Sequence, residues 1–274
     1  MVFLPQRAQQ NKICRQAFEN EIEKQNLEIL GWRDVPVDSR AVGRVASTCQ
    51  PVIKQVFIKK IDDANLFRAK LYTARKIAEN KIYKSELSQK QYFYFSSLST
   101  KTIIYKGLLI PEDIARFYLD LKKPLFVTKL ALVHQRFSTN TFPTWDLAQP
   151  FRYMCHNGEI NTLKGNISRM KAREELLSSP LISKEDLNKV LPIILPGKSD
   201  SASMDMVVEL LLISGRSLRE IMMMLVPEAW EKHNSMSNVK KEFYKYNSNI
   251  MEPWDGPASI PFTDGDYIGA VLDR

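Results

Sequence analysis

The stretch ALVHQRFSTNTFPTWDLAQPFRYMCHNGEINTLKGN, residues 131–166, decides how the chain is read. Residues 130–134 alternate in a short apolar run that suits a buried strand, and residues 135–140 then turn polar. Arg136, Ser138 and Thr139 therefore stand where a strand ends. A second apolar run, residues 151–155, leads into His156, Asn157 and Gly158 and then into a helix start with Glu159 in its first turn. Two strand ends that present a guanidinium, two hydroxyls, an Asn amide and a Gly backbone can hold a small anionic ligand and an oxyanion. Arg136 is a bidentate donor for a carboxylate. Asn157 and the Gly158 N–H can donate where charge develops on a carbonyl oxygen, and glycine lets the backbone come close. The residues alone leave a second reading open. Asn-Gly also marks hairpin turns, and an arginine at a strand end also serves as a solvated or ion-paired surface group.

Composition sets the outer limits. With 274 residues and 44% hydrophobic content the chain can bury a core, as one large domain or two small ones. No run approaches 18 apolar residues, and the opening MVFLPQR lacks the long apolar region of a signal peptide. The expectation is a soluble, cytoplasmic protein without a membrane segment. Cys14, Cys49 and Cys155 are widely spaced and form no CxxC or Cys/His ligand pattern, so neither a disulfide framework nor a metal is indicated. The formal charge of +8 is concentrated in residues 54–90, where ten Lys and Arg face four acids. No nucleic-acid motif accompanies that run, and it reads as a solvated helical face.

In chain order, residues 2–4 read as a strand and 9–25 as a helix, with Ile13, Ala17, Phe18 and Ile22 at helical spacing. Residues 27–32 read as a strand, 33–36 as a turn, 51–60 as a strand and 64–80 as a helix. Residues 92–95 and 98–106 are rich in aromatic and β-branched side chains and read as strands. Pro111 and Glu112 open a short helix through residue 119. Beyond the central stretch, residues 160–177 and 184–190 read as helices. Met204, Val207, Val208, Leu211 and Leu212 then mark an amphipathic helix whose N-terminus carries Ser199 and Asp200. By residue type alone Asp200 is a helix cap. Residues 222–224, three methionines, read as one turn of core helix. Residues 230–249 read as a polar helix, and 259–262 with 267–272 as a hairpin turned by Asp264 and Gly265. No repeat, low-complexity linker or domain boundary stands out. Strands, then helices, then strands favour an α+β fold of stacked layers over regular βαβ alternation.

The wording of the central stretch is more specific than its chemistry. HQRFSTN (134–140), PTW (143–145), AQPF (148–151) and HNGEIN (156–161) closely resemble the glutamine amidotransferase domain of the glutamate synthase large subunit. The resemblance extends over most of the chain, through GWRDVPV (31–37), SLST (97–100), YKG (105–107), KSDSA (198–202) and EPWDGPA (252–258). It implies the αββα sandwich of N-terminal-nucleophile hydrolases, incomplete at its N-terminal side. Residues 1–274 would then be part of a class-II glutamine amidotransferase domain. By matched position it implies that L-glutamine is the ligand and that Arg136, Ser138 and Thr139 recognise it. Asp200 would accept its α-amino group, and Asn157 and Gly158 would form the oxyanion hole.

The resemblance also implies a nucleophile, a cysteine that becomes residue one and uses its own α-amino group, of unperturbed pKa about 8, as the base. That Cys-Gly start is missing here. The chain opens at Met1 in what reads as an interior strand and closes at Asp273-Arg274, where the family continues towards a flavin-binding barrel. The expectation is a fragment, with the catalytic segment upstream and the FMN and 2-oxoglutarate domains downstream. Cys155 and His156 are neighbours on an extended strand and point to opposite faces, so they make no dyad. The three cysteines read as buried structural thiols, and His134 and His156 as groups that orient or pack.

The whole protein that the family implies releases ammonia from glutamine through a cysteinyl-glutamyl thioester. It passes the ammonia to a second site that aminates and reduces 2-oxoglutarate with electrons carried by FMN and an iron–sulfur cluster. Both groups are expected outside these residues, with NAD(P)H or ferredoxin as electron source. The implied partners are the rest of the large chain and either a small electron-donating subunit or ferredoxin. The rival reading is an inert glutamine-binding or interaction module that lacks its nucleophile. The blocks at 31–37 and 252–258 argue against the amidotransferases that make amino sugars or phosphoribosylamine, and a basic nucleic-acid binder ranks last.

Overall fold

A computed structural model describes residues 1–136 and 142–273. Strand β1 (Val2–Leu4) sends successive side chains to opposite faces: Val2 and Leu4 join one apolar cluster, Met1 and Phe3 another. Helix α1 (Ala8–Lys24) buries Cys14, Phe18 and Ile22, four residues apart, in the cluster of Val2 and Leu4. Strand β2 (Ile29–Asp34), α2 (Arg44–Thr48), β3 (Val52–Ile58), α3 (Ala64–Lys84) and β4 (Tyr94–Phe95) follow. The strands form an antiparallel sheet in the order β2-β3-β1-β4. Asp63 caps α3 by accepting from the Asn65 and Leu66 N–H groups. In the cluster of Met1 and Phe3 lie Tyr118, Trp145 and, from α4 (Ile114–Phe117), Phe117.

The remaining elements are β5 (Asn157–Gly158), α5 (Leu163–Arg173), α6 (Lys184–Val190), α7 (Asp200–Ile213), α8 (Leu218–Leu225), α9 (Asn238–Ser248) and the hairpin of β6 (Ala258–Thr263) and β7 (Ile268–Asp273). Strands β5, β6 and β7 make a second antiparallel sheet in that order. Helix α7 runs through the largest core, with Met222 and Met224 of α8 and Ile260 and Phe262 of β6. Helices with two antiparallel sheets make an α+β architecture, as the order of elements leads one to expect.

Several local expectations are corrected. Residues 130–134 form no strand: no described strand pairs with them, and Val133 is 75% exposed. A strand without a neighbour leaves its backbone groups to water and its apolar face uncovered. Residues 98–106 also form no strand, because serines take their backbone bonds: Ser97 Oγ accepts from the Ile104 N–H, and Ser99 Oγ from the N–H groups of Lys101 and Thr102. Residues 151–155 contribute only an isolated bridge from Met154 to Phe262, since the Tyr153 N–H is taken by Asp205 at 2.9 Å. Arg33 and Asp34 belong to β2 rather than to a turn. The polar helix is confined to α9, and the helix after Gly158 starts only at Leu163.

The basic run of residues 54–90 is not simply a solvated face. Arg75 and Lys76 of α3 are buried at 2% and 3% exposure. Helix α7 is not amphipathic either: every residue but Leu210 is buried, including Asp205 and Glu209 one turn apart. The two corrections have one cause. Arg75 donates to Glu79 at 2.5 Å and also to Glu209, and Arg152 lies 3.3 Å from Asp205 and 3.6 Å from Glu79. Buried charges persist only when paired, so the cations of α3 and the acids of α7 account for each other. Lys76 instead donates to the Ile193 carbonyl at 2.7 Å, and burial pushes its ammonium down to about 7.

Removing one partner strands a buried charge. Glu209→Ala is expected to lower unfolding free energy by about 3–5 kcal/mol in denaturant titrations. Between about pH 7 and 10.5, the unfolded chain holds the Lys76 proton and the folded chain does not, so stability rises with pH across that window. Lys76→Met is expected to make the rise shallower; an unchanged slope would place the Lys76 proton elsewhere.

Candidate functional site

A cleft of about 400 Å³ is lined by Lys106, Val133, His134, Arg136, Gln149 and Asn157, among others. Arg136 and Asn157, singled out from sequence, thus share one wall. Its geometry is tied together by one imidazole: the Arg136 N–H donates to His134 Nδ1 at 3.2 Å, and His134 Nε2 lies 2.8 Å from Asn157 Oδ1. Ser138 and Thr139 lie outside the described residues. Lys106 sits below the cleft at 1% exposure, donating to the Asp146 carbonyl at 2.7 Å and to Tyr94 Oη at 3.2 Å.

Asn157 and Gly158 form an edge strand whose second side has no strand neighbour among the described residues. The N–H groups of Cys155 and Glu159 donate to the carbonyls of Pro261 and Pro257, so this parity of residues faces β6. Gly158 is one residue out of phase, and strand alternation directs its N–H away from β6, to the open edge. Gly158 has φ of +108°, and a Cβ there would meet the Pro257 carbonyl oxygen at 1.9 Å. Gly256 answers from the segment leading into β6, where a Cβ would meet the Glu159 oxygen at 1.9 Å. The two backbones are packed as closely as glycine alone permits.

Asp200 approaches from α7. Ser199, not Asp200, is the helix cap, accepting from the Ala202 N–H at 3.2 Å. Asp200 Oδ2 instead accepts from the Ile160 N–H at 3.2 Å and lies 3.9 Å from His156 Nδ1. It is therefore joined to the loop that carries Asn157, although it does not line the cleft itself. Burial pushes the His156 imidazole below its ordinary value, with Asp200 pulling the other way, and its Nε2 finds no hydrogen-bond partner among the described residues.

Sequence reasoning missed the supports of this loop. Gln149 clasps it through both ends of its side chain: Nε2 donates to the His156 carbonyl at 3.0 Å, and Oε1 accepts from the His156 N–H at 2.6 Å. The block at 252–258 braces the other side, with Asn161 N–H donating to the Asp255 carbonyl and Asn166 Nδ2 to the Pro253 carbonyl. A glutamine before a proline in the central stretch, and a second Gly-containing block, were the available signals.

Cys14 and Cys155 are buried, and burial pushes their thiols up to about 12 and about 11, which keeps them protonated and unreactive near neutral pH. Cys49 is half-buried rather than buried, beside Phe3 and Trp145 in a separate cavity. The three do not form the thiolate set that an iron–sulfur cluster needs. Among the described residues no helix is long and apolar enough to cross a membrane.

The chain belongs to the class-II glutamine amidotransferases, whose family model matches residues 1–274. The N-terminal-nucleophile hydrolase fold of that family agrees with the helices and two antiparallel sheets seen here. The chain is 49% identical to the glutamate synthase [NADPH] large chain of Bacillus subtilis, with 100% of this chain and 18% of that protein aligned. It is 46% identical to the glutamate synthase [NADH] of Saccharomyces cerevisiae, over 95% of this chain and 12% of that protein. It is 44% identical to the chloroplastic ferredoxin-dependent glutamate synthase 2 of Arabidopsis thaliana, over 100% of this chain and 17% of that protein. The chain spans less than a fifth of the length of these curated relatives.

Because Gly158 combines a left-handed φ with a blocked Cβ position, Gly158→Ala is expected to cost on the order of 1–3 kcal/mol from backbone strain alone. Thermal unfolding of the variant checks this, and a wild-type midpoint would show that β5 and β6 can separate freely.

Proposed function

We propose that this chain is the glutaminase part of a glutamate synthase. It binds L-glutamine in the cleft of Arg136 and Asn157, with the Arg136 guanidinium on the substrate carboxylate and Ser138 and Thr139 assisting. Asp200, held beside the cleft by the Ile160 N–H rather than in its lining, would receive the α-amino end. A cysteine thiolate attacks the side-chain amide carbon, and the oxygen that becomes negative is met by the Asn157 NH2 and the Gly158 N–H. Ammonia leaves, water hydrolyses the thioester, and glutamate is released. Cys14, Cys49 and Cys155 are not that nucleophile, since none carries a free α-amino group to act as its base.

The observation that carries this reading is that Arg136 and Asn157 line one cleft and are joined through His134, with Gly158 next to Asn157 in the edge strand. In the whole protein the ammonia would serve the reductive amination of 2-oxoglutarate to glutamate. FMN and an iron–sulfur cluster, held outside these residues, would carry electrons from NAD(P)H or ferredoxin. Its partners would be the rest of the large chain and a small electron-donating subunit or ferredoxin, in the cytoplasm. No specific observation favours the inert-module reading over this one.

Asn157→Ala, made in the protein expressed from its complete reading frame, is expected to lower glutaminase turnover by roughly 10²–10³. Ammonia release measured against wild type tests it, and unchanged turnover removes Asn157 from the oxyanion role.

A further inference from the structure

We propose that His134 is a positioning residue, one that holds the Asn157 carboxamide with its NH2 towards the ligand; this rests on the glutaminase reading of the cleft. Two contacts fix the imidazole's proton. The Arg136 N–H can only donate, and it meets His134 Nδ1, so Nδ1 carries the lone pair. A neutral imidazole then holds its proton on Nε2, 2.8 Å from Asn157 Oδ1, and donates it there. A flipped carboxamide would set two donors against each other at that distance. The oxygen end of Asn157 is therefore committed to His134, and Nδ2 is left to donate into the cleft.

The support is needed because the local structure offers little else. Strand β5 is two residues long, and both Asn157 and Gly158 are exposed. An exposed asparagine rotates freely about its terminal bond unless a partner chooses one face. His134 makes that choice, its own tautomer held by the Arg136 N–H. It touches neither reacting atom in this role.

The test is a double-mutant cycle in the protein expressed from its complete reading frame, read by steady-state glutaminase kinetics. His134→Ala is expected to lower kcat about ten- to a hundredfold, as misplaced catalytic groups do, with KM for glutamine within about twofold. His134→Gln can donate to Asn157 Oδ1 and accept from the Arg136 N–H, and it is expected to restore most of kcat. Added to Asn157→Ala, either His134 change is expected to cost nothing more. Additive losses, or a wild-type kcat in His134→Ala, would overturn the proposal. If His134→Ala does not fold, the His134→Gln arm decides alone: a kcat as low as that of Asn157→Ala also overturns it. An Asn157→Ala variant with full turnover would remove Asn157 from the oxyanion role and overturn this inference, whereas a wild-type protein that releases no ammonia from glutamine would sink the glutaminase reading itself.

Discussion

The site hangs on a buried ionic network. Arg75 of α3 is held between Glu79 and Glu209, and Arg152 reaches Glu79 and Asp205, all at less than a tenth exposure. Taking such ions out of water is costly, and only mutual pairing with good geometry offsets it. The network therefore specifies more than it stabilises. Asp205 also accepts from the Tyr153 N–H, and Arg152 lies 5.3 Å from the centroid of the Tyr94 ring of the first sheet. One set of charges thus registers α3, α7, the first sheet and the loop that runs into Asn157.

From that anchor the cleft is assembled in short steps. Residues 151–156 leave the network, Gln149 clasps His156, and β5 then pairs with β6 for two residues. Asp200, at the N-terminal end of the same α7 that supplies Asp205 and Glu209, bonds the Ile160 N–H just beyond β5. Helix α7 is therefore the common reference for both sides of the loop. Its largely apolar, buried sequence tolerates three carboxylates because each one has a partner.

Elements whose signals are local were legible in the sequence. Helix α6 coincides with residues 184–190, and the β6–β7 hairpin follows from alternation around Asp264 and Gly265. Ordered family blocks singled out Arg136, Asn157, Gly158 and Asp200 as candidates, and the structure brings Arg136 and Asn157 into one cleft, while periodicity alone left the four as a turn, a surface cation and a helix cap. What was not legible depends on distant partners. Nothing near Arg75 announces Glu209, which lies 134 residues away. Residues 130–134 have a strand's pattern, but pairing is a property of two segments, and no described strand lies beside them. Residues 98–106 have a strand's composition, yet nearby serine hydroxyls outcompete a ladder. Asp205 and Glu209, a turn apart in an apolar helix, were the one overlooked sign of a buried counter-charge.

The edge position of β5 has a cost of its own. A strand with no described neighbour on one side is open to a strand from another molecule, which is how sheets begin to aggregate. Strand β5 limits that hazard by its length, since Asn157 and Gly158 offer too few backbone groups to template an intruder. The left-handed φ of Gly158 also bends the chain out of a continuous edge. The brevity that leaves the site's shape to His134, Gln149 and α7 thus also makes β5 a poor template for another strand.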